Sequence, residues 1–181
     1  MIDGDKWFAF FSHSGSEIFN IIDRTGVYPR KVITDQQPGS AEIDSRLTDL
    51  PIEIVYVRSK TQSDTYDRVL NVCDDCVVTL HGWMNIVPAS VCEEYFMLNL
   101  HPGLITDYPE LKGKDPQLRV DLDKHERIGL VIHEVEAGID EGPIVYVSST
   151  PNNFNSIDEV TKQLRTMAVE AWLKFLNSLT D

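Results

Sequence analysis

Hydrophobic and polar positions along the chain alternate between short apolar runs and longer stretches of helical spacing. Lys6 to Phe11 is an apolar run that predicts a first strand, and it leads into a small-residue turn, Ser12 to Ser16. Ile18, Phe19, Ile21 and Ile22 then mark the buried face of a helix ending near Gly26. Arg30 to Thr34 predicts a second strand and Ile52 to Val57 a third. The polar stretch between them, Asp35 to Leu50, holds Pro38 and Gly39 and reads as a loop with one helical turn. From Gln62 to Val72, Tyr66, Val69 and Leu70 recur at helical spacing behind a Ser63 cap. Cys76 to Leu80 is a continuous apolar run of the kind a central parallel strand needs, because both its faces are covered.

Pro88 to Tyr95 predicts a short helix, and the next apolar run, YFMLNL, is too short for a globular helix and suits a buried strand that Pro102 and Gly103 terminate. The following segment is polar and rich in Pro and Gly, a surface excursion with a helix within Pro116 to Leu122. Strand alternation returns at Gly129 to Val135 and again at Pro143 to Ser148. The glycine-flanked turn Ala137 to Gly142 between them predicts an antiparallel pair at the sheet edge. Ser156 opens a long final helix with Asp158 and Glu159 in its first turn. Its apolar stripe is Ile157, Val160, Leu164, Met167, Ala171, Phe175 and Leu179. Alternating strands and helices closed by a hairpin predict an open α/β sheet.

Chemistry concentrates where strands stop. Asn99 and His101 stand at i and i+2, so one strand face carries both an amide and an imidazole at the end where open α/β sheets place their ligand crevice. The same pair also fits a core histidine satisfied by a backbone carbonyl, with Asn99 closing a turn. The first strand, the Ser14-Gly15-Ser16 turn and the helix behind it form an anion seat or a plain serine cap, and Glu17 opposes an anion there. His81 and the four residues after it occupy a second loop position at a strand's carboxyl end.

Composition narrows the partners. The 181 residues suit one domain spanning 1–181; 42% are hydrophobic and 25% charged, as in ordinary globular chains. A net charge of −13 repels phosphate backbones and argues against nucleic acid as a partner. The apolar stretch near the N-terminus is short, preceded by acids and without a small-residue cleavage site. It fits neither a signal peptide nor a membrane span, and a cytoplasmic protein with no membrane partner is expected. Three cysteines agree with a reducing compartment. Cys73 and Cys76 form CDDC, but no second pair or nearby histidine completes a zinc site, and no metal is expected.

NLHPGLI, then YPELKGKDPQ, then GLVIHEVEAGIDEGPIV, in that order, resemble the folate-dependent formyltransferase family over about residues 6 to 179. That family shows an N-x-H-P-S-L-L-P-x-[YF]-x-G stretch and a later strand followed by a D-x-G-P-I turn. The resemblance implies its fold, a Rossmann-like, mainly parallel twisted sheet with helices on both faces and an antiparallel edge hairpin. It also implies transfer of a formyl group from 10-formyltetrahydrofolate to a small amine acceptor, glycinamide ribonucleotide or a related amine, in one-carbon metabolism and purine biosynthesis.

Carried onto this chain, the resemblance makes Asn99, His101 and Asp140 the catalytic trio. It lays the folate along Trp83, Met84, Asn85 and Ile86 on one side and Glu136, Ala137, Gly138 and Ile139 on the other. It assigns the acceptor to Ser14, Gly15, Ser16 and Arg165, and His133 to a structural place in a strand near the site. It leaves the assembly as a monomer or homodimer.

Several positions depart from the family pattern. Glu17 stands where phosphate-binding relatives have asparagine, Ala168 where a ribose-binding glutamate falls, Asn85 where arginine is common, Gly103 for the motif's serine and Glu110 for its glycine. Arg165 is the residue expected to offset Glu17 and seat a phosphate or carboxylate. Three further readings stay open: an amino-sugar nucleotide as acceptor, hydrolysis of 10-formyltetrahydrofolate, and folate binding without turnover. The added tRNA-binding domain of some members and the N-terminal domain of deformylases are expected to be absent.

Overall fold

A computed structural model describes residues 2–58, 63–71 and 75–179. Seven strands form one sheet: β1 (Trp7–Phe11), β2 (Lys31–Thr34), β3 (Ile54–Tyr56), β4 (Val77–His81), β5 (Phe96–His101), β6 (Arg127–Glu134) and β7 (Ile144–Pro151). Their spatial order is β3-β2-β1-β4-β5-β6-β7. The first five run parallel, and β6 and β7 are antiparallel to their neighbours. The expected Rossmann-like sheet with an antiparallel edge is therefore the observed one.

Period-2 geometry explains why β1 is buried throughout. Trp7, Ala9 and Phe11 enter the core cluster under α1 (Ser16–Thr25) and α5 (Ile157–Ser178). Phe8 and Phe10 enter the opposite cluster under α3 (Ser63–Leu70) and α4 (Ala89–Glu94). A strand apolar on both faces can only sit centrally with helices on either side, each buried large side chain contributing roughly 1.5–3 kcal/mol. Trp7 adds a hydrogen bond, its Nε1–H donating to Thr79 Oγ1 at 2.8 Å.

Helix α5 starts as its sequence dictates, with the Ser156 side chain accepting from the Glu159 N–H and Glu159 Oε2 accepting from the Asn155 N–H. Its stripe is buried from Val160 through Phe175, but Leu179 lies beyond the helix end and is exposed. Phe19 of α1 is only half-buried, since Ile18, Ile21 and Ile22 already fill the face toward the sheet. The polar stretch before β3 contributes one short turn, α2 (Ser45–Thr48). The helix expected within Pro116 to Leu122 is a single 3-10 turn, Pro116–Arg119, which stops where the backbone turns extended at Val120. Cys73 of the CDDC motif lies outside the described residues, and Cys76 is buried.

The chain reverses its direction of winding between β1 and β4, whose ends are in register at Phe11 and His81. The loops leaving these two strands diverge there and open a crevice. Among the described residues, no helix is long and apolar enough to cross a membrane, and no cluster of His, Cys, Asp or Glu could hold a metal ion.

Candidate active site

Strand β5 presents Asn99 and His101 on one face, while Leu98 and Leu100 enter the core with α1 and α5. His101 is buried at 4% exposure, and each ring nitrogen meets an acceptor. Nε2 lies 2.8 Å from the Leu111 carbonyl oxygen and Nδ1 lies 3.2 Å from Asp140 Oδ2. With a carbonyl on one side and a carboxylate on the other, only the doubly protonated ring satisfies both.

Asp140 comes from the β6–β7 turn. That turn leaves the sheet opposite Leu98 and folds back across the face of β5, the Val135 N–H donating to the Met97 carbonyl at 2.9 Å. Gly142 permits the close return, since a Cβ there would collide with the Glu134 carbonyl. Asp140 itself takes the left-handed conformation, φ 52°, which aspartate tolerates better than most residues. Its carboxylate is held on both oxygens: Oδ2 faces His101 and accepts from the Gly113 N–H at 2.8 Å, and Oδ1 lies 3.4 Å from His133 Nε2. Burial is the largest single influence on this carboxyl and raises its pKa. His101, His133 and the Gly113 amide together outweigh burial and hold it well below the usual carboxylate range.

His133 of β6 ties the group together. Its Nδ1 lies 2.8 Å from the Glu134 carbonyl oxygen, and its Nε2 stands between Asn99 Nδ2 at 3.1 Å and Asp140 Oδ1 at 3.4 Å. The amide, both imidazoles and the carboxylate therefore form one connected set. An arginine organises the loop behind them. Arg119 donates to the carbonyls of Glu110, Leu111 and Lys112 at 2.5, 3.1 and 2.6 Å, fixing the segment that supplies the Leu111 carbonyl and the Gly113 amide. Because Leu111 then has a second donor, its carbonyl remains satisfied when the His101 ring turns away. Gly103 supplies space: a Cβ there would sit 2.9 Å from His101 Nε2 and 2.9 Å from Pro116 Cβ.

Asn99, His101, Gly113, His133 and Asp140 line one wall of a cleft of about 430 Å³. All eight residues expected to bind folate line it as well: Trp83, Met84, Asn85 and Ile86 from the loop after β4, and Glu136, Ala137, Gly138 and Ile139 from the β6–β7 turn. Their side chains differ in role. Trp83 is buried, edge-on to Phe10 at 5.3 Å, with its Nε1–H on the Tyr66 hydroxyl at 2.9 Å. Met84, Ile86 and Ile139 are exposed, leaving apolar surface on both rims. Asn85 Nδ2 is engaged by Asp35 Oδ2 at 2.9 Å. The lining, mainly apolar with a few convergent polar groups, suits a flat, partly polar ligand.

A smaller cleft of about 180 Å³ adjoins the first and shares Gly82, Leu100, Pro102 and Gln117 with it. Arg165 and Ala168 of α5 line this cleft, and so does Glu17 of α1. Ser14, Gly15 and Ser16 line neither: Ser14 Oγ bonds Ser16 Oγ at 2.9 Å and accepts from the Ser16 N–H at 3.3 Å, and Gly15 is packed beneath Leu47 and Phe11. The serine turn closes on itself, and the N-cap of α1 is Gly15, without a side-chain cap. What reaches the cleft is Glu17, whose Oε1 accepts from His81 Nδ1 at 2.6 Å and Trp172 Nε1 at 2.8 Å.

Sequence reasoning missed Arg119, the Leu111 carbonyl, the Gly113 amide and the His81–Trp172 hold on Glu17. Backbone groups carry no sequence signal, and Arg119 lies in a stretch without periodicity. His81 had one signal, its place at the carboxyl end of β4.

The fold is a doubly wound α/β sheet with a histidine–carboxylate site at its crevice. The family model described as formyl transferase matches residues 12–176. A phosphoribosylglycinamide formyltransferase from Mycobacterium tuberculosis (strain CDC 1551 / Oshkosh) is 26% identical over 151 residues, covering 77% of this chain and 68% of that one. A solved phosphoribosylglycinamide formyltransferase from Campylobacter jejuni superimposes with a TM-score of 0.81 at 18% identity, covering 100% of this chain and 99% of that one. A formyltetrahydrofolate deformylase from Pseudomonas syringae gives 0.77 at 19% identity, covering 98% and 62%. A sugar N-formyltransferase from a Shewanella species gives 0.69 at 17%, covering 95% and 68%. The chain belongs to the formyl transferase family, and it is a formyl-transferring enzyme.

Proposed function

We propose that this enzyme transfers the formyl group of 10-formyltetrahydrofolate to the amino group of a small acceptor, with Asn99, His101 and Asp140 as its catalytic residues. The observation that carries this reading is the His101 ring, held between a carbonyl and a strongly acidic carboxylate on the wall of the larger cleft. Folate supplies the activated formyl group. The apolar rims at Met84, Ile86 and Ile139 offer contact to its flat ring, and the backbone of the two loops offers hydrogen bonds.

The acceptor nitrogen forms a bond to the formyl carbon, the bond from that carbon to the folate nitrogen breaks, and one proton passes from acceptor to folate. Negative charge develops meanwhile on the formyl oxygen. An imidazolium at His101 and the Asn99 amide stabilise that charge, His101 by releasing the Leu111 carbonyl, which Arg119 continues to satisfy. Asp140 keeps the imidazolium charged and, through a water, holds the amine proton in transit. Removing one such donor typically costs about 3–4 kcal/mol of transition-state stabilisation.

The test supplies 10-formyltetrahydrofolate alone and then with an acceptor panel of glycinamide ribonucleotide, amino-sugar nucleotides and free amino acids. Formylated amine appearing only when an amine is added is the expected result. Formate released without any amine makes the enzyme a hydrolase, and binding with neither product makes it a folate-binding protein without turnover; either overturns the proposal.

A further inference from the structure

The smaller cleft carries an electrostatic signature of its own. Its floor is shared with the larger cleft at Leu100 and Pro102, so a ligand with its amine near Asn99 extends its other end toward α1 and α5. The first charge met there is Glu17. Both of its donors, His81 and Trp172, sit on Oε1, and Oε2 has no hydrogen bond with any described residue. His81 is backed by Thr79, 2.8 Å from its Nε2, and Thr79 in turn accepts from Trp7, so the carboxylate is anchored into the core and is not free to swing aside. Two more oxygens on the same walls, Gln117 Oε1 and Thr161 Oγ1, are buried without a hydrogen-bond partner among the described residues.

Two of these three oxygens can only accept, and the third is a hydroxyl. A phosphate brings further acceptors and a like charge, which leaves the oxygens unsatisfied and sets two anions side by side. A group bearing several hydroxyls brings the donors that are missing. The amides at the start of α1, the usual attraction for an anion, already have the Glu17 carboxylate on the same helical turn. Arg165 is exposed at the rim and forms no ion pair with a described residue, so it does not convert this wall into a phosphate seat.

We propose that Glu17 sets acceptor specificity: the smaller cleft takes a hydroxylated, sugar-like tail of the acceptor that carries no phosphate at that end. This rests on the formyl-transfer reading only for which end of the acceptor reacts; the binding preference stands apart from it.

The experiment titrates the full chain with a matched pair, glycinamide ribonucleotide and its dephosphorylated nucleoside, and follows the indole N–H resonance of Trp172, identified by its loss in Trp172→Phe. The nucleoside is expected to bind at least about tenfold more tightly than the nucleotide, and Glu17→Gln to shrink that ratio to about two or invert it. Should Glu17→Gln fail to fold, Arg165→Ala, an exposed change, decides: it is expected to weaken both ligands equally, and a selective loss of the nucleotide would identify a phosphate seat and overturn the proposal. Equal or tighter nucleotide binding by the unaltered chain overturns it, as does the absence of any Trp172 response to either ligand. Formyl transfer measured in parallel separates the two readings, since a nucleoside preference without any transfer removes the proposed function alone, and transfer with a nucleotide preference removes the specificity alone.

Discussion

Each of the two clefts has on its wall a carboxylate paired with a histidine, Asp140 with His101 and Glu17 with His81, and the two pairs are built differently. Asp140 uses both oxygens within the protein: His101 and Gly113 on one, His133 facing the other. Glu17 gathers its two donors on a single oxygen and keeps the second for whatever enters the smaller cleft. The first pair is closed, and in the proposed mechanism its negative charge holds a positive ring beside the reacting atoms. The second is open, so its charge is presented to a ligand. In the proposed reading an imidazole and a carboxylate serve catalysis at one cleft and selection at the other, and the difference lies in how many lone pairs the fold has already filled.

Breaking the closed pair has the largest expected effect. His101→Ala, Asn99→Ala and Asp140→Asn are each expected to lower kcat about a hundredfold or more, with folate affinity within a few-fold of the parent. Single-turnover rates with saturating folate and a fluorescence binding titration check this, and an active His101→Ala enzyme removes the trio from the mechanism.

Breaking the open pair is expected to act on stability instead. His81→Ala takes one of the two donors from Glu17 and is expected to destabilise the fold by about 2–3 kcal/mol, read as a lower urea midpoint at unchanged m-value. A midpoint equal to the parent's would mean that the pair contributes nothing net.

Arg119→Ala sharpens the comparison without touching either carboxylate. Losing its three carbonyl contacts loosens the loop that positions Leu111 and Gly113, and kcat is expected to fall about tenfold while thermal stability changes little. Rescue by lysine is expected to be poor, because one ammonium lacks the planar fork that reaches three carbonyls. An alanine variant with parental kcat rules out a positioning role.

The smallest effect is in acid. The folded carboxyl of Asp140 lies below its unfolded value of about 3.9, so the unfolded chain takes up the proton first as pH falls. The stabilisation it provides is complete near neutrality and is lost as pH drops below about 4, by at most about 1.4 kcal/mol per pH unit. Urea midpoints of the parent and Asp140→Asn between about pH 5 and pH 3 are expected to converge, and parallel curves would show that the carboxylate is not favoured by folding.

Much of the sheet was legible because its strands obey simple rules. The continuous apolar run before His81 and the period-2 placement of Asn99 and His101 could be read directly, and the glycine-flanked turn announced the hairpin. Asp140 was reachable only through the family resemblance, since no periodicity links a turn residue to a strand thirty-nine positions earlier (140 − 101). The acceptor side was harder to read for a physical reason. Ser14, Gly15 and Ser16 have the composition of an anion seat, but their hydroxyls satisfy each other, and which of two nearby polar groups reaches a cleft depends on helix orientation that sequence does not state. Gln117 and Thr161 meet across the smaller cleft from elements far apart in the chain, with nothing in either neighbourhood to mark them.

The guanidinium of Arg119 grips three consecutive peptide oxygens and asks nothing of the side chains attached to them. The path of the chain, and with it the cradle for the imidazole, is therefore held by backbone oxygens, and the exposed Lys112 side chain is open to substitution without disturbing it.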